Sequence, residues 1–481
     1  MAELFKNAIK NTPVRTQTYN GAETFESTTD PLVDLFFLIG SSRGKDITRV
    51  FESALVHDEI KTLRMLFWAR DIRGGAGERA TFRNLFKHLE VNHTMTAIKL
   101  IHLVPEYGRW DDLLIFTNKR VKEAAFKVIQ NGLEAKNGLC AKWMPRKGQV
   151  ARELREFLKL SPKAYRKLLV NLSSTVETQM CANQWDKIDF NKVPSLASAR
   201  YQKAFDRHTS VTYQAWKDSL SSKDPVVRAT AKVNAGAVYP HDVLKSIYRG
   251  DVDVARAQWE ALPNYLGDNK ILPVCDVSGS MNSWSYYTGK NVKSNVNPID
   301  ISVSLGLYIA DKQTGAFKDI VCTFSSDSRL EVLSGDILSK VYQITSLHWE
   351  MTTNIEAAYR SILKLAVANK VPQEEMPEIL LIISDMEFDQ CAKGTAYEAA
   401  QDAYEKYGYR LPRIVFWNVN ARESNNPVTS KQDGTALVSG YSPSILKAVL
   451  SGTFESFTPI SIMYETIFSK RYDAIETALM N

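Results

Sequence analysis

The spacing of apolar residues along this 481-residue chain changes once, near residue 266. Before that point apolar positions recur every three or four residues. Examples are PLVDLFFLIG (31–40), ITRVFESALV (47–56), IKTLRMLFWARD (60–71), TFRNLFKHLEV (81–91), MTAIKLIHLV (95–104) and VARELREFLKL (150–160). Such spacing gathers them on one face of an α-helix. The breaks between them are short and carry Gly, Pro or Asn. Helices of about 10–15 residues joined by short turns predict stacked helical pairs, either HEAT-like or a bundle. No clean sequence repeat decides between the two.

After residue 266 short continuous apolar runs alternate with amphipathic stretches. NKILPVCDVSGS, FKDIVCTFSS, EILLIISDMEF and LPRIVFWNVN read as strands. PIDISVSLGLYIADKQ, TNIEAAYRSILKLAVAN and TAYEAAQDAYEKYG read as the helices between them. That alternation predicts a parallel sheet covered on both faces, a doubly wound, Rossmann-like α/β domain. The expected plan is an N-terminal extension (1–30), an all-helical domain (31–265) and the α/β domain (266–481).

Composition adds limits. Hydrophobic residues make up 44% and charged residues 24%, which excludes a disordered chain or a collagen. Cys140, Cys181, Cys275, Cys322 and Cys391 have no CxxC spacing and no His pair beside them in sequence. A structural zinc site and a disulfide framework are therefore not expected. No apolar run has signal-peptide or membrane-span length. The expectation is a soluble, cytoplasmic protein without a membrane partner.

Charge divides the chain where the pattern does. Residues 1–270 carry 42 Lys and Arg against 30 Asp and Glu, whereas residues 271–481 carry 18 against 24. Residues 119–167 alone hold 14 basic and 4 acidic residues. Such a concentration is read either as a polyanion-binding surface or as ordinary solvated helix faces.

The α/β half carries the sharpest constellation. The strand ILPVC runs into Asp276-Val277-Ser278-Gly279-Ser280, a D-x-S-x-S spacing. One carboxylate and two hydroxyls, two residues apart on an extending loop, can converge on a single cation. Hard oxygen donors suit Mg²⁺ or Mn²⁺ rather than zinc. Thr353 opens the helix beginning IEAAYRSILKL, and Asp385 ends the strand EILLIIS; each is placed to add an oxygen. In open α/β sheets ligands bind at such carboxyl ends.

These five residues resemble the metal-ion-dependent adhesion site of von Willebrand factor A (vWA) domains. The resemblance implies that Asp276, Ser278, Ser280 and Thr353 hold Mg²⁺ directly or through water. It implies that Asp385 acts through water, with one position left open for an acidic group on a partner. The chain departs from the family at Met351-Thr352, where many members have Gly-Gly, and at Met386, where Gly is common.

A second resemblance lies upstream. MLFWARDIRGGAGERATFRNLFKHL (65–89) and VPEYGRWDDLL (104–114) precede the vWA-like half. This plan is similar to TROVE-domain proteins of the Ro type. It is more similar to an uncharacterised family of plants, large DNA viruses and phages built on the same two parts. AKWMPRKG (141–148), VETQMCANQWDKIDFNKVPS (176–195) and SGYSPSILKAVLSG (439–452) also resemble that family. The Ro resemblance implies a ring of helical repeats that binds structured small RNAs and RNA ends, closed by the vWA domain.

By its own chemistry, Arg73-Gly74-Gly75-Ala76-Gly77-Glu78-Arg79 is a Gly-rich bend at a helix start. It is read either as a phosphate cradle, flanked by Arg70 and Arg83, or as a tight turn whose Arg and Glu residues pair with each other. It is not a P-loop, since no Gly-Lys-Ser/Thr follows. Trp68, Tyr107, Trp110 and Trp143 are either base-stacking groups or core. The expected RNA contacts are Arg70, Arg73, Arg79, Lys142, Arg146, Lys147, Arg152 and Arg155. The seven His are scattered, and His348, five residues before Thr353, reads as a loop or core residue. Without a nucleophile–base pair or a second carboxylate set, no enzyme is expected. Two functions stand: an RNA-binding protein with a Mg²⁺-holding vWA domain, or a Mg²⁺-dependent adaptor or virion component that captures a protein's acidic group. Residues 282–298 read as a mobile loop beside the metal site.

Overall fold

A computed structural model describes residues 12–173, 175–235, 238–250, 252–281, 297–324, 328–346, 352–392, 394–450 and 457–480. Met351, His348 and nearly all of the 282–298 loop fall outside the described residues.

The predicted helices form close to their expected bounds: Pro31–Ile39, Thr48–His57, Glu59–Arg70, Arg79–Asn92, Thr94–Leu100 and Gln149–Phe157. Their starts have local causes. Asp30 and Asp58 each accept backbone N–H groups of the first turn, and Pro31 supplies a pre-set φ at the first position. Consecutive helices pack on one another from residue 31 to residue 100, as a stack of antiparallel neighbours does.

The second half is one six-stranded sheet. Its strands are β3 (Ile271–Asp276), β4 (Ile320–Phe324), β5 (Arg329–Val332), β6 (Ile379–Ser384), β7 (Arg413–Asn418) and β8 (Thr435–Ser439). The order is β5-β4-β3-β6-β7-β8. All pairings are parallel except that of β5 with β4, which is antiparallel. β3 and β6 are buried along their whole length, the reason each reads as an unbroken apolar run. Sheet order reverses direction between β3 and β6, which makes their carboxyl ends the switch point of the fold.

Helices such as Lys119–Glu134, Ile337–Ser346, Pro459–Ile467 and Asp473–Met480 were not read individually from the sequence, nor were two strands of the sheet and an N-terminal hairpin. β5 is short, half exposed and polar at alternate positions. β8 has only five residues and follows a Gly/Asn-rich stretch. The hairpin of β1 (Arg15–Gln17) and β2 (Glu23–Phe25) occupies the N-terminal extension. That hairpin lies on the sheet half: the Thr18 hydroxyl donates to the Phe388 carbonyl at 2.7 Å, and Phe25 bridges Asn426.

The halves share one hydrophobic core running from Ala22 to Ala478. Helix Pro31–Ile39 packs on β8, and the closing helix Asp473–Met480 packs on Glu59–Arg70 and Thr94–Leu100. Farther along, helices Pro240–Tyr248 and Val252–Glu260 rest on Pro298–Lys312 and Ile337–Ser346 of the sheet half. The helical run thus meets the sheet half near both of its ends. A separate small cluster, centred on Phe190, Phe205 and Tyr213, supports residues 176–216.

Candidate metal centre and basic surface

Parallel register sets the centre. Cys275 pairs with Ile383, so Asp276 and Ser384 leave the sheet side by side and Asp385 follows. Asp276, Ser278, Thr353, Ser384 and Asp385 are all buried, and Ser280 is half-buried. Asp276 is held from two sides: the Ser278 N–H donates to its Oδ1 at 2.9 Å, and the Ser384 hydroxyl donates to its Oδ2. The Ser278 and Ser280 hydroxyls lie 3.1 Å apart, and Ser280 donates to Asp385 Oδ1 at 3.3 Å. Four of the five sequence-predicted residues therefore form one hydrogen-bonded cluster at the switch point.

Thr353 enters from another loop. Its backbone N–H donates to Asp389 Oδ2 at 2.9 Å, and the Asp389 N–H returns to its carbonyl at 3.0 Å. This ties Thr353 to the loop that carries Asp385. Its Oγ1 is buried without a hydrogen-bond partner among the described residues, as is Oγ1 of Thr352. A buried hydroxyl left unpaired costs about 1–3 kcal/mol, a cost that a ligand at this position would offset.

The electrostatics point the same way. Burial, and then the Asp385 charge, push the Asp276 carboxyl up to about 7. Two buried carboxylates with hydroxyl neighbours are a donor set that fits a hard divalent cation such as Mg²⁺. Asp276, Ser278, Ser280, Thr353 and Asp385 would hold it, and it would supply positive charge and an exchangeable position there.

Sequence reading missed the surrounding groups. Arg422, four residues beyond β7, donates to Asp385 Oδ2 at 3.0 Å and stands 3.3 Å from Glu387 Oε1. Asn425 donates to the Met386 carbonyl at 2.9 Å and to Glu387 Oε1 at 3.2 Å. Lys45 comes from the helical half to Asn420 and the Ala421 carbonyl; burial and then Arg422 lower its ammonium to about 8. Met386 takes a φ of 65°, the left-handed conformation that glycine adopts most readily. Only Ser384 carried a signal in sequence, by adjoining Asp385. Arg422, Asn425 and Lys45 arrive by tertiary folding.

The Gly-rich bend is a junction, not a cradle. The N–H groups of Gly75 and Gly77 both donate to the Asp71 carbonyl at 3.1 Å. Those of Ala76 and Glu78 donate to the carbonyls of Trp68 and Ala69, and that of Arg73 to Asp71 Oδ1. No amide from Gly75 to Glu78 remains for a phosphate. A Cβ on Gly75 would meet the Trp68 carbonyl at 1.9 Å, and one on Gly77 the Tyr239 hydroxyl at 1.9 Å.

The expected RNA contacts divide accordingly. Arg70 is buried and paired with Asp112 at 2.8 Å, so it cannot reach a phosphate. Arg83 pairs with Asp111 and Asp112, and Lys142 with Glu177 at 3.3 Å. Trp68 and Tyr107 are core. Trp143, half-buried, lies under the Arg109 guanidinium at 3.9 Å, and half-buried Trp110 packs against the core. Arg73 and Arg79 are exposed at the bend. Arg146, Lys147 and Arg152 are exposed and Arg155 half-exposed on and before helix Gln149–Phe157; none has an ion-pair partner among the described residues. Lys159, Lys163, Arg166 and Lys167 continue the surface onto helix Pro162–Leu172.

No helix among the described residues is long and apolar enough to cross a membrane. Residues 270–467 match the model of a domain of unknown function (DUF7788), and residues 18–125 and 141–271 match that of another (DUF2828). An uncharacterized protein of Acanthamoeba polyphaga mimivirus is 26% identical over 516 aligned residues, spanning 94% of this chain and 86% of the relative. Among solved structures the chain is similar to the RO (RSR) protein of Deinococcus radiodurans. That likeness is 13% identity over 92% of this chain and 99% of the other, with a TM-score of 0.40.

Proposed function

We propose that this chain is an RNA-binding protein: its helical half holds the RNA, and its vWA-like half holds Mg²⁺ and a partner. One observation carries the reading. Arg146, Lys147, Arg152, Arg155, Lys159, Lys163, Arg166 and Lys167 lie close together in sequence, on and beside two consecutive helices, exposed or half-exposed and with no ion-pair partner among the described residues. Phosphate contacts supply most of the affinity of such a face, which makes binding steeply salt-dependent. Single-stranded ends or loops are the fitting targets, since duplex RNA offers little sequence readout. In this reading the protein binds without turning over a substrate. Mg²⁺ at Asp276, Ser278, Ser280, Thr353 and Asp385 accepts a carboxylate from a protein partner.

The adaptor reading has its own support in the Thr353 hydroxyl, buried and unpaired among the described residues, beside two buried carboxylates. One experiment separates the two. Nucleic acid that co-purifies with the native chain under mild salt is sequenced, with Arg146, Lys147, Arg152 and Arg155 reversed to Glu as control. A defined RNA set lost in the variant is expected. No RNA above background, with proteins released by EDTA, would leave the adaptor.

A further inference from the structure

Glu52 is 36 residues from His88 in sequence, and His93 follows His88 by five. Glu52 lies in helix Thr48–His57, His88 in helix Arg79–Asn92 just before its last turn, and His93 caps that helix. The fold brings their ligand atoms within 4.8 Å of one another. His88 Nε2 is 2.7 Å from Glu52 Oε2, and His93 Nε2 is 3.1 Å from Glu52 Oε1. Two imidazoles therefore aim the same nitrogen at one carboxylate.

We propose that Glu52, His88 and His93 bind one zinc-class ion, through two imidazole Nε2 atoms and a carboxylate oxygen, with water as the fourth ligand. Tetrahedral zinc with bonds of about 2.0–2.1 Å sets its ligand atoms roughly 3.3 Å apart. Measured to the one oxygen Oε2, His88 Nε2 stands at 2.7 Å and His93 Nε2 at 3.4 Å, which bracket that spacing, so a shift of a fraction of an ångström at His88 admits the ion. Imidazole nitrogen with one carboxylate selects zinc-like ions over Mg²⁺, which distinguishes this site from the all-oxygen centre.

The surroundings are those of a supported site. The ring of buried Phe51 meets the His88 ring edge-on, with centroids 6.2 Å apart, and limits its rotation. Asn92 lies 3.0 Å from His88 Nδ1. Metal at Nε2 places the ring proton on Nδ1; the Asn92 amide, whose nitrogen also donates to the His88 carbonyl at 3.2 Å, releases that bond when it turns its oxygen to the proton. Glu52 and His88 line an open cleft of about 800 Å³ shared with Asp46, Arg49 and Glu423, which gives an ion and its water a path. Arg49 does not compete for Glu52, because its guanidinium is 3.0 Å from Glu423. The cysteine count and the absence of adjacent His pairs hid this cluster, whose ligands converge only once the helices pack.

The test uses the full chain, stripped of metal and then supplied with excess Mg²⁺. Zn²⁺ is titrated against a chromophoric chelator, and Co²⁺ uptake is followed by its visible absorption. The expected result is one equivalent of Zn²⁺, weakened roughly 100-fold or more by H88Q or H93Q and about 10-fold by N92A, and unchanged by D276A. Uptake equal in the wild type and the H88Q/H93Q double variant, or lost in D276A, would overturn the proposal. X-ray absorption at the zinc edge of the loaded native chain reads the site without any substitution. Two imidazoles are expected, and thiolate or all-oxygen ligation would refute it.

Discussion

At the scale of single residues, the centre at the sheet end is a hydrogen-bonded cluster of carboxylates and hydroxyls with one predicted ligand left over. That ligand is Thr353, whose hydroxyl is buried and unpaired among the described residues while its backbone is fully engaged. Thr353→Val removes that hydroxyl at nearly constant volume. Without metal, the variant is expected to gain about 1 kcal/mol of stability in urea unfolding. With Mg²⁺ it is expected to lose the ligand-induced stabilisation that the native chain shows. A metal-free variant less stable than the native chain would mean the hydroxyl already has a use. The spacing of Asp276, Ser278 and Ser280 was legible because these ligands sit two residues apart on one loop. Arg422 and Asn425 were not, because a side chain that reaches a site from a neighbouring strand's loop leaves no periodic mark. Arg70 failed as a predicted RNA contact for the converse reason. Its charge is visible in sequence, whereas its burial against Asp112 is set by a turn forty residues later.

At the scale of elements, the first four helices quoted from the sequence form within two residues of their expected bounds, whereas Thr94–Leu100 and Gln149–Phe157 end three or four residues early. Short strands were not read, because β5 and β8 derive their identity from the strand beside them. The helix Ile337–Ser346 is anchored by one buried cation. Lys340 Nζ is 2.5 Å from Asp311 Oδ1 and 2.6 Å from Asp319 Oδ1. Burial raises the Asp311 carboxyl, but hydrogen bonds from Lys340 and Trp259 outweigh it and hold the group below its ordinary value. Burial likewise lowers the Lys340 ammonium, and its two carboxylate partners more than offset this, holding it above its ordinary value. The depressed acid contributes stability above its unfolded pKa and loses it as pH falls through the folded one. The raised base contributes below its unfolded pKa and loses it as pH rises through the folded one. Lys340→Met is therefore expected to cost ~2–3 kcal/mol between about pH 5 and 9, with the difference shrinking below about pH 4 and above about pH 10.5. Urea unfolding of both chains across this range checks it, and a difference independent of pH would contradict the ion-pair assignment.

At the scale of the whole molecule, the change of pattern at residue 266 marks a change of architecture within a shared core. The sheet half receives helix Pro31–Ile39 and the N-terminal hairpin, and it returns helix Asp473–Met480 to the helical half. Such interlocking was invisible in sequence, since it depends on contacts between residues more than 370 positions apart, such as Lys99 with the Leu479 carbonyl. Amides of helix Glu59–Arg70 and of β6 and β7 are expected to share the slowest hydrogen exchange, opening only with the whole chain. Residues 176–216, with their separate small core, are expected to exchange earlier. Early exchange of β6 and β7 while Glu59–Arg70 stays protected would show two independent units.

RNA binding by the unpaired basic residues of the helical half is what the proposed function turns on. Its most direct test is the affinity of the full chain for a single-stranded RNA as a function of salt, in the native form and with Arg146, Lys147, Arg152 and Arg155 reversed to Glu. Each phosphate contact contributes about −0.7 to the slope of log K against log salt for single strands, so losing four contacts flattens the slope by about 3. The expected result is that flattening together with weaker binding at every salt concentration. Equal slopes and affinities for the two chains would contradict RNA binding by these residues.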